Sequence, residues 1–453
     1  MSTHESTAND STTANGGAPA IGSAPAIGID DIELATAHHV LDLGTLAEAT
    51  GTDPAKFRLG LGQDEFSFPA PDEDIVTMGA TAALPLIQRG GTEGIRTLIV
   101  ATESGTDQSK AAGLAIHRLL DLPSQVRVIE FKEACYSGTA GLQAAIGLVS
   151  RNPGDRVLVI ASDVARYELD SPGEPTQGAG AVAMLVSADP SLIEIEPASG
   201  IHSADVDDFW RPNDSTTAIV DGALSVTAYL DSLTGAWNDL QDRGGAGIAE
   251  IDRILYHQPF TKMAKKAQVH LAGITGAALS TELGVEAAAG VGAGGVGASA
   301  STDTAEQPGA PASADTGATA SATPGPRDTG LATSTLYNRR LGNSYTASLW
   351  AGLCSLLDHD EDLAGRRIGL FSYGSGSVGE FITGLVKPGY AEHSRRAEVT
   401  AALDARVPLS VADYRELHSA ELSSAEDSQT PRTTSAPFRF AGVTGRARVY
   451  ERS

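Results

Sequence analysis

The chain has few cysteines and few basic residues for its length of 453 residues. Two cysteines, Cys135 and Cys354, cannot form a disulfide framework in a chain of this size, so we expect a reducing compartment. Lysine and arginine number 32 against 57 acidic residues, which gives a formal net charge of −25. This charge argues against non-specific binding to nucleic acid or to an anionic membrane, although a local basic patch is compatible with it.

Long apolar runs are also missing. No run approaches the roughly 18 to 20 apolar residues of a membrane-spanning helix, so we expect no membrane segment. No lysine or arginine precedes Lys56, whereas a secretory signal begins with a positive region and a transit peptide is rich in arginine. These absences favour a cytoplasmic enzyme or binding protein.

Two segments lack the large apolar residues that a packed core needs. Residues 1–27 consist mainly of Ser, Thr, Ala and Gly, and we expect them to be disordered. Residues 286–330 have only two branched aliphatic residues, Val291 and Val296, and cannot repay the entropy of ordering by burial. We therefore predict a flexible insertion at 286–330, between catalytic segments 28–285 and 331–453.

Between these segments, apolar strand patterns alternate with helical patterns. The predicted strands are TLIVAT (97–102), VRVIEF (126–131), RVLVIASD (156–163), GAVAMLVS (180–187), IDRILYHQ (251–258) and RIGLFSYG (367–374). The predicted helices are MGATAALPLIQRG, AGLAIHRLLDL, TAGLQAAIGLVSR and YTASLWAGLCSLLD. This alternation predicts the α/β class, in which ligands collect at the carboxyl ends of the strands.

Cys135 lies where a predicted strand gives way to a helix, in EACYSGTAGLQ. A helix N-terminus favours thiolate over thiol, and thiolate is the nucleophilic form. The small residues Ser137, Gly138 and Thr139 suggest room for an acyl group. The alternative is a small buried hydrophobic residue, which suits Cys354 within SLWAGLCSLL.

Three other polar residues follow predicted strands or begin a predicted helix. Glu103 follows LIVAT, His257 precedes Pro259 at a strand end, and Asn343 precedes YTASLW. Each has a structural alternative: a solvated carboxylate, a packing histidine and a helix cap. Together with Cys135, a carboxylate and an imidazole at one sheet edge suit acyl transfer combined with deprotonation of carbon.

Gly374, Gly376 and Gly379 match a GxGxxG pattern after a strand, and we predict a helix after them. No returning strand is evident in GLVKPGYAEHSRRAEV, so a dinucleotide-binding βαβ unit is not predicted. We instead predict a tight turn whose N–H groups face an oxygen at the site. The sequence shows no Cys/His metal spacing.

Ten segments in order resemble bacterial 3-hydroxy-3-methylglutaryl-CoA synthases of the mevalonate pathway. They are GIDDIE, KFRLGLGQDEFSFPAPDEDIVTM, VATESGTDQSK, EACYSGTAGL, IASDVARYELDSPGEPTQGAGAVAML, DFWRPN, VDGALSVTAYL, YHQPFTKMAKKA, YNRRLGNSYTASL and FSYGSGSVGEF. The resemblance covers about residues 28 to 385. It implies a thiolase-like fold with two similar α/β halves in a five-layered core, about 28–190 and 191–453, and a homodimer.

The resemblance also implies roles for individual residues. Cys135 would carry an acetyl group from acetyl-CoA, Glu103 would deprotonate it, and His257 with Asn343 would hold acetoacetyl-CoA. N–H groups near Cys135 and Ser375 would stabilise the thioester oxyanion. The positions that match substrate or coenzyme A contacts in the family are Asp53, Thr176, Ser225, Lys262, Lys266, Asn343 and Ser375. No resident cofactor is implied, because the coenzyme A thioesters are substrates.

The residues themselves support part of this division of labour. HQPFTKMAKK places three lysines within nine residues of His257, a local basic patch that suits coenzyme A phosphates; the alternative is a solvated helix face. A thioester makes the neighbouring methyl protons more acidic than a carboxylate does, so capture on sulfur makes a carboxylate base sufficient.

Four alternatives stay open. A decarboxylating ketoacyl synthase also uses Cys, His and Asn, but its histidine is followed by Ala-Asn instead of Pro259-Phe260, and it needs no base such as Glu103. The same chemistry on a carrier-protein-bound ketone occurs in polyketide β-branching, although a charge of −25 would repel an acidic carrier. A silent binding protein would not need all three catalytic side chains, and a dehydrogenase rests only on the glycine pattern.

Overall fold

A computed structural model describes residues 25–284, 325–420 and 425–452. Most of the predicted disordered tail at 1–27 and of the predicted insertion at 286–330 lies outside these residues. Within the described ranges, no helix is both long and apolar enough to cross a membrane.

The described residues contain strands and helices in alternation. The strands are β1 (Ile27–Thr36), β2 (His39–Asp42), β3 (Glu65–Phe68), β4 (Ile95–Ala101), β5 (Arg127–Phe131), β6 (Arg156–Ala165), β7 (Gly178–Ala188), β8 (Ile193–Ser203), β9 (Phe209–Trp210), β10 (Ile219–Val220), β11 (Arg253–Tyr256), β12 (Arg367–Gly374), β13 (Val378–Val386), β14 (Val407–Pro408), β15 (Ser428–Gln429), β16 (Phe438–Thr444) and β17 (Ala447–Arg452). The α-helices are α1 (Leu43–Thr50), α2 (Ile75–Gly90), α3 (Gly113–Leu119), α4 (Ser137–Arg151), α5 (Gly222–Asp242), α6 (Thr261–Thr275), α7 (Leu331–Ser334), α8 (Leu336–Leu341), α9 (Ser348–His359), α10 (Arg396–Asp404) and α11 (Val411–Ser419).

Nine strands form one mixed sheet in the order β11-β12-β13-β8-β1-β7-β6-β4-β5. Strands β4, β5 and β6 are parallel to one another, and so are β11 and β12. The halves of this sheet join where β1 pairs with β8 through Gly28–Glu194 and Ile29–Ile193. The carboxyl ends of β4 and β11 therefore deliver Glu103 and His257 from different halves of the sheet.

Side chains that alternate along the strands face different cores. Ile99 on β4 belongs to an inner core shared by α4 and α9, whereas Leu98 belongs to an outer core with α2 and α3. On the other half, Leu370 of β12 belongs to the same inner core, and Phe371 belongs to an outer core with α5 and α6. Alternate residues of each strand therefore face opposite sides of the sheet. The two outer cores and the shared inner core together give five layers in the order helix–sheet–helix–sheet–helix, as the thiolase-like prediction requires.

The predicted strands and helices lie where the apolar patterns put them, with one exception. The glycine segment does not lead into a helix, because Val378–Val386 forms strand β13, antiparallel to β12. The GxGxxG pattern is therefore a β-hairpin, and the prediction of a following helix was wrong. The prediction of a tight turn there is confirmed.

Two predicted boundaries differ from the structure. Ile27 already belongs to β1. At the end of the predicted insertion, Arg327 exchanges main-chain hydrogen bonds with Ala278 and Ser280, and its guanidinium donates to the Ile248 carbonyl. Arginine and buried Thr329 thus supply the ordering contacts that aliphatic residues would otherwise give.

The C-terminal part of the chain packs on the first half, although the prediction grouped it with the second. Strand β14 pairs with β2, and Phe438 and Phe440 of β16 belong to the outer core of α2 and α3. Helix α11 packs through Tyr414 against Phe66 and Phe68 of β3. The last elements of the chain therefore cover the first half of the fold, at β2, at β3 and at the outer core of α2 and α3.

Candidate active site

Cys135 lies in a tight turn between β5 and α4. The turn needs a left-handed residue, which is Ala134 at φ 41°, an uncommon conformation for a residue with a side chain. Ser137 cross-links the turn, because its hydroxyl accepts from the Glu133 N–H and donates to the Ala134 carbonyl. These two hydrogen bonds fix the backbone of the turn on both sides of Ala134 and so define the position of Cys135.

The thiol of Cys135 donates to the carboxylate of Glu103, with 3.2 Å between Sγ and Oε1. Glu103 is buried, and this burial together with the nearby charge of Asp163 raises its pKa to about 8. Burial and the negative charge of Glu103 likewise raise the pKa of the Cys135 thiol. Two anions are therefore disfavoured in this site, and the Cys135 thiol keeps its proton at neutral pH.

This finding corrects the expectation that the helix N-terminus makes Cys135 a thiolate. The macrodipole favours the anion, but desolvation and the adjacent carboxylate outweigh it here. A thiolate at Cys135 would therefore form by transfer of the thiol proton to a neighbouring group, and Glu103 lies within hydrogen-bond distance.

The small residues after Cys135 also serve a different purpose from the one expected. A Cβ at Gly138 would lie 2.6 Å from Trp350 Nε1 and 2.7 Å from the Thr346 carbonyl oxygen. Ser137 and Thr139 are likewise buried. Gly138 therefore allows α4 to approach α9 closely, and these residues do not leave space for an acyl group.

Asp163, at the end of β6, holds the loop of Glu103 in place. Its Oδ1 accepts from the Thr102 hydroxyl at 2.7 Å and from the main-chain N–H groups of Glu103 and Ser104 at 3.0 and 2.9 Å. Its Oδ2 accepts from the N–H and hydroxyl of Thr346. One buried carboxylate thus ties together the ends of two strands and the segment after Asn343.

Asn343 lies in a second wall of the site. Its Nδ2 donates to the Tyr167 hydroxyl at 3.3 Å, and its Oδ1 accepts from the Tyr345 N–H at 2.9 Å. The rings of Tyr167, Tyr345 and Phe209 meet edge to face with centroids 5.8 to 6.3 Å apart. Cys135 packs against this aromatic cluster, so the structure brings Cys135, Glu103 and the tyrosine partners of Asn343 together.

His257 follows β11 and is buried. Its main chain is fixed by bonds to the Phe371 carbonyl and from the Tyr229 hydroxyl, both 2.8 Å. Burial lowers the pKa of its imidazole to about 3, so the ring is neutral. Among the described residues, no hydrogen bond joins His257 to Cys135. Strand β12 contacts both, because Phe371 accepts from the His257 N–H and Gly374 packs against the turn of Cys135.

The hairpin after β12 abuts the cysteine turn. A Cβ at Gly374 would lie 2.6 Å from the Glu133 carbonyl oxygen and 2.7 Å from the Tyr136 Cβ, so only glycine allows this approach. Ser375 follows in the turn, and the Gly376 N–H donates to buried Asp208 at 2.9 Å. The turn thus lies beside the cysteine, as its predicted role near the site requires.

Thr176 and Asp53 are two further predicted binding residues, of which Thr176 is buried and Asp53 is exposed. The Thr176 hydroxyl donates to the Gly173 carbonyl, and the Thr176 carbonyl accepts from the Asn343 N–H at 3.1 Å. Asp53 accepts from the Ala55 N–H. Among the hydrogen bonds of the described chain, neither Thr176 nor Asp53 reaches Cys135.

Three further predicted binding residues belong to α5 and α6. Ser225 is half-buried in the first turn of α5. The Lys262 ammonium donates to the Leu59 carbonyl at 3.0 Å, and the exposed Lys266 lies 5.3 Å from the centroid of the Phe260 ring. Lys262 of α6 thus lies against the π-helical turn Lys56–Leu61.

Sequence reasoning missed Asp163 and Tyr167. Asp163 was assigned only as the last residue of a predicted strand. A carboxylate directly after an apolar run was nevertheless a signal, because a buried carboxylate needs hydrogen-bond donors around it. Nothing local distinguishes Tyr167. No cluster of three or more metal-ligating side chains is present in the described ranges.

Comparisons with known proteins bear directly on this site. The sequence models for the N-terminal and C-terminal parts of hydroxymethylglutaryl-coenzyme A synthase match residues 24–191 and residues 193–279 with 318–432. A hydroxymethylglutaryl-CoA synthase from Enterococcus faecalis is 39% identical over 390 residues, covering 85% of this chain and 90% of the relative. A crystal structure of an HMG-CoA synthase complexed with CoA superposes with a TM-score of 0.80 at 33% identity, covering 94% of this chain and 100% of that one.

A polyketide enzyme is also similar. The 3-hydroxy-3-methylglutaryl-ACP synthase PksG of Bacillus subtilis is 33% identical over 394 residues, covering 83% of both chains. The two family models together span most of the described fold and include Glu103, Cys135, His257 and Asn343. The chain therefore belongs to the hydroxymethylglutaryl-CoA synthase family.

Proposed function

We propose that the protein condenses acetyl-CoA with acetoacetyl-CoA and water to give 3-hydroxy-3-methylglutaryl-CoA and CoA. The observation that carries this proposal is the 3.2 Å hydrogen bond between the Cys135 thiol and the Glu103 carboxylate. It supplies a nucleophile and a base at one point, which a two-stage acyl transfer and carbon deprotonation both need.

In the first stage, Glu103 takes the thiol proton and the Cys135 sulfur attacks the carbonyl carbon of acetyl-CoA. A new C–S bond forms to Cys135, the bond to coenzyme A breaks, and the proton leaves with the coenzyme A thiolate. Glu103 returns to the carboxylate form. The N–H groups of the cysteine turn and of the turn at Ser375 stabilise the oxyanion, a contribution that is often large in acyl transfer.

In the second stage, Glu103 removes a methyl proton from the acetyl thioester. The resulting enolate carbon attacks the ketone carbon of acetoacetyl-CoA, and the alkoxide takes up a proton. Water then cleaves the thioester to Cys135 and frees the carboxylate of the product. The raised pKa of Glu103 suits a base that must take and return a proton near neutral pH.

His257 and Asn343 are proposed to hold the acetoacetyl group. A neutral imidazole can donate one hydrogen bond to a carbonyl oxygen, and the low pKa of His257 supports this form. The amide of Asn343 is oriented by Tyr167 and Tyr345, which supports a fixed direction for its remaining hydrogen-bonding capacity.

Coenzyme A is proposed to bind at the mouth formed by α5, α6 and the turn at 56–61. Lys262 and Lys266, with Lys265 between them on α6, are the cations for its phosphates, and Asp53, Thr176 and Ser225 are the other proposed contacts. No resident cofactor is needed, because the thioesters themselves carry the reactive groups. We place the reaction in the mevalonate route to isoprenoids, in the cytoplasm.

A homodimer is also part of the proposal. Strand β5 ends the nine-stranded sheet, and four of its five residues are half-buried in the single chain. An unpaired edge of this kind is a template for a second strand. Light scattering on the eluted protein should give twice the chain mass, and Ile129→Asp should give the chain mass. Ile274→Asp, a change at an exposed apolar residue of α6, is the control and should remain dimeric.

The test of the reaction is intact mass after acetyl-CoA alone and again after acetoacetyl-CoA. A single acetyl adduct that disappears as 3-hydroxy-3-methylglutaryl-CoA forms is the expected result. No adduct at all would contradict the proposal and would favour a silent binding protein.

The similarity to PksG favours one second candidate, the same chemistry on a carrier-bound ketone. The net charge of −25 opposes it, because carrier proteins are acidic. Turnover with acetoacetyl-CoA compared with acetoacetyl carrier protein separates the two. An adduct consumed only by the carrier-bound ketone would replace the first candidate with the second.

A further inference from the structure

Helix α11 has a polar buried face. Of its nine residues, only Tyr414 and His418 are buried, and their spacing of four places them on one side of the helix. Their rings pack on Phe66 and Phe68, with centroids 5.3 to 6.3 Å apart. A helix that only covers a core would present aliphatic side chains here, whereas both buried residues of α11 carry hydrogen-bonding groups.

Tyr414 binds two buried residues of the loop that carries Thr176. Its hydroxyl accepts from Gln177 Nε2 at 2.6 Å and donates to Glu174 Oε1 at 3.1 Å. The other oxygen of Glu174 accepts from the Asp170 N–H at 2.7 Å. These bonds satisfy polar groups that would otherwise be costly to bury, so they define the loop conformation.

His418 binds the main chain of Tyr167. Its Nε2 lies 2.9 Å from the Tyr167 carbonyl oxygen and 3.0 Å from Gln177 Oε1. Gln177 Oε1 also accepts from the Tyr167 N–H at 2.9 Å, so both neighbours of Nε2 are acceptors and Nε2 must carry the proton. Burial lowers the pKa of His418 to about 4, which keeps this single tautomer at neutral pH.

The rest of α11 binds the same loop. Arg415 forms an ion pair with Asp170, and the Arg166 guanidinium donates to the His418 carbonyl. The loop from 166 to 177 is therefore held by α11 at both ends and in the middle. Through the loop, α11 is connected to Tyr167, whose hydroxyl accepts from Asn343 Nδ2.

We infer that Tyr414 and His418 are positioning residues that align Tyr167, and through it Asn343, for the condensation stage. The inference rests on the proposed function, in which Asn343 holds the second substrate. The Glu103 main chain has a separate anchor, Asp163, and the turn of Cys135 is held by Ser137. Cys135 packs against the Tyr167 cluster but forms no hydrogen bond with it among the described residues. Loss of the α11 contacts should therefore impair condensation and spare acetylation.

The experiment compares His418→Leu with His418→Gln. Leucine removes the donor and fills much of the ring volume, whereas the glutamine amide nitrogen can reach the position of Nε2. We expect His418→Leu to raise KM for acetoacetyl-CoA or lower kcat so that kcat/KM falls about 10- to 100-fold, the order that a small misalignment causes. The rate of acetyl adduct formation should stay within about twofold, and His418→Gln should restore most of kcat/KM.

Tyr450→Phe is the control for loss of a buried side-chain hydrogen bond outside α11 and the loop that it holds. The Tyr450 hydroxyl, on β17, donates at 2.6 Å to Asp74, the N-cap residue of α2, and forms no hydrogen bond with the loop at 166–177 among the described residues. This variant should change Tm but neither the rate of acetyl adduct formation nor kcat/KM for acetoacetyl-CoA. Equal losses of acetylation and condensation in His418→Leu, or kinetics equal to those of the unsubstituted protein, would overturn the inference.

The inference and the proposed function fail in different ways. If the unsubstituted protein forms no acetyl adduct, the proposed function fails. A crystal structure of His418→Leu then decides the positioning role. A displaced Tyr167 hydroxyl would uphold it, and an unchanged 3.3 Å contact with Asn343 Nδ2 would overturn it.

Discussion

Cys135 Sγ and Glu103 Oε1 lie 3.2 Å apart, although 31 residues separate them in the chain. The carboxylate follows β4 and the thiol follows β5, and these strands are parallel neighbours. Burial and the negative charge of Glu103 raise the pKa of the Cys135 thiol, whereas burial and the charge of Asp163 raise the pKa of Glu103, so two anions are disfavoured in this buried pair. A proton shared by this pair links both chemical stages of the proposed reaction.

Replacing Cys135 by alanine should abolish the acetyl adduct and turnover. The control is Cys354→Ala, because Cys354 is buried in α9, where it packs in the inner core. Intact mass after acetyl-CoA treatment measures both variants. A persistent adduct on Cys135→Ala would assign the nucleophile to a different residue.

Replacing Glu103 by glutamine should separate the two stages. Glutamine removes the acceptor of the thiol proton, but it also removes the negative charge that raises the pKa of the Cys135 thiol. The thiol can then lose its proton to water, and the acetyl adduct should still appear. Condensation should slow by about 10²- to 10⁴-fold, the usual contribution of a general base, and the adduct should persist when acetoacetyl-CoA is added. Loss of adduct formation to the same degree would contradict the base assignment.

Condensation by the acetylated protein should depend on pH through Glu103. Its pKa of about 8 predicts that below pH 8 the rate increases about tenfold for each unit of rising pH, and that it levels off above about pH 8. Between pH 4.5 and about pH 8, Glu103 is protonated in the folded state and ionised in the unfolded chain. The free energy of unfolding that this group contributes therefore falls as pH rises through that window. Single-turnover rates from pH 6 to 9.5 test the prediction, and a flat profile would contradict it.

Local pattern sufficed for six strands of the nine-stranded sheet and for the residues that follow two of them, whereas β1, β8 and β13 were not predicted. Apolar runs identified β4 and β11, and the polar residues after them, Glu103 and His257, were found by position alone. The glycine segment misled because Val378–Val386 is buried on both faces and shows no alternation, so its strand period is hidden.

Contacts across long stretches of chain could not be predicted. Asp163 is 61 residues from Thr102 and 183 from Thr346, and Tyr414 is 237 residues from Gln177. No periodicity encodes such pairs. The protonation of Cys135 was missed for the same reason, since it depends on burial and on a carboxylate brought in by another strand.

Asp163→Asn tests whether one buried carboxylate sets both the geometry and the electrostatics of the site. An amide has one acceptor oxygen, so at least the two donors of Thr346 or the three of residues 102–104 lose their partner. We expect the free energy of unfolding to fall by about 2 to 6 kcal/mol in urea titrations, at about 1 to 3 kcal/mol for each of two unsatisfied buried groups.

The matched control is Asp72→Asn, a buried carboxylate that accepts from the Thr433 and Thr434 N–H groups beside α2. Both variants lose stability by the same mechanism, but only Asp163 raises the pKa of Glu103. The rise of the condensation rate with pH should therefore move to lower pH in Asp163→Asn and stay in place in Asp72→Asn. Equal pH profiles in the two variants would show that Asp163 acts on stability alone, whereas a shift confined to Asp163→Asn would assign it a direct electrostatic effect on the base.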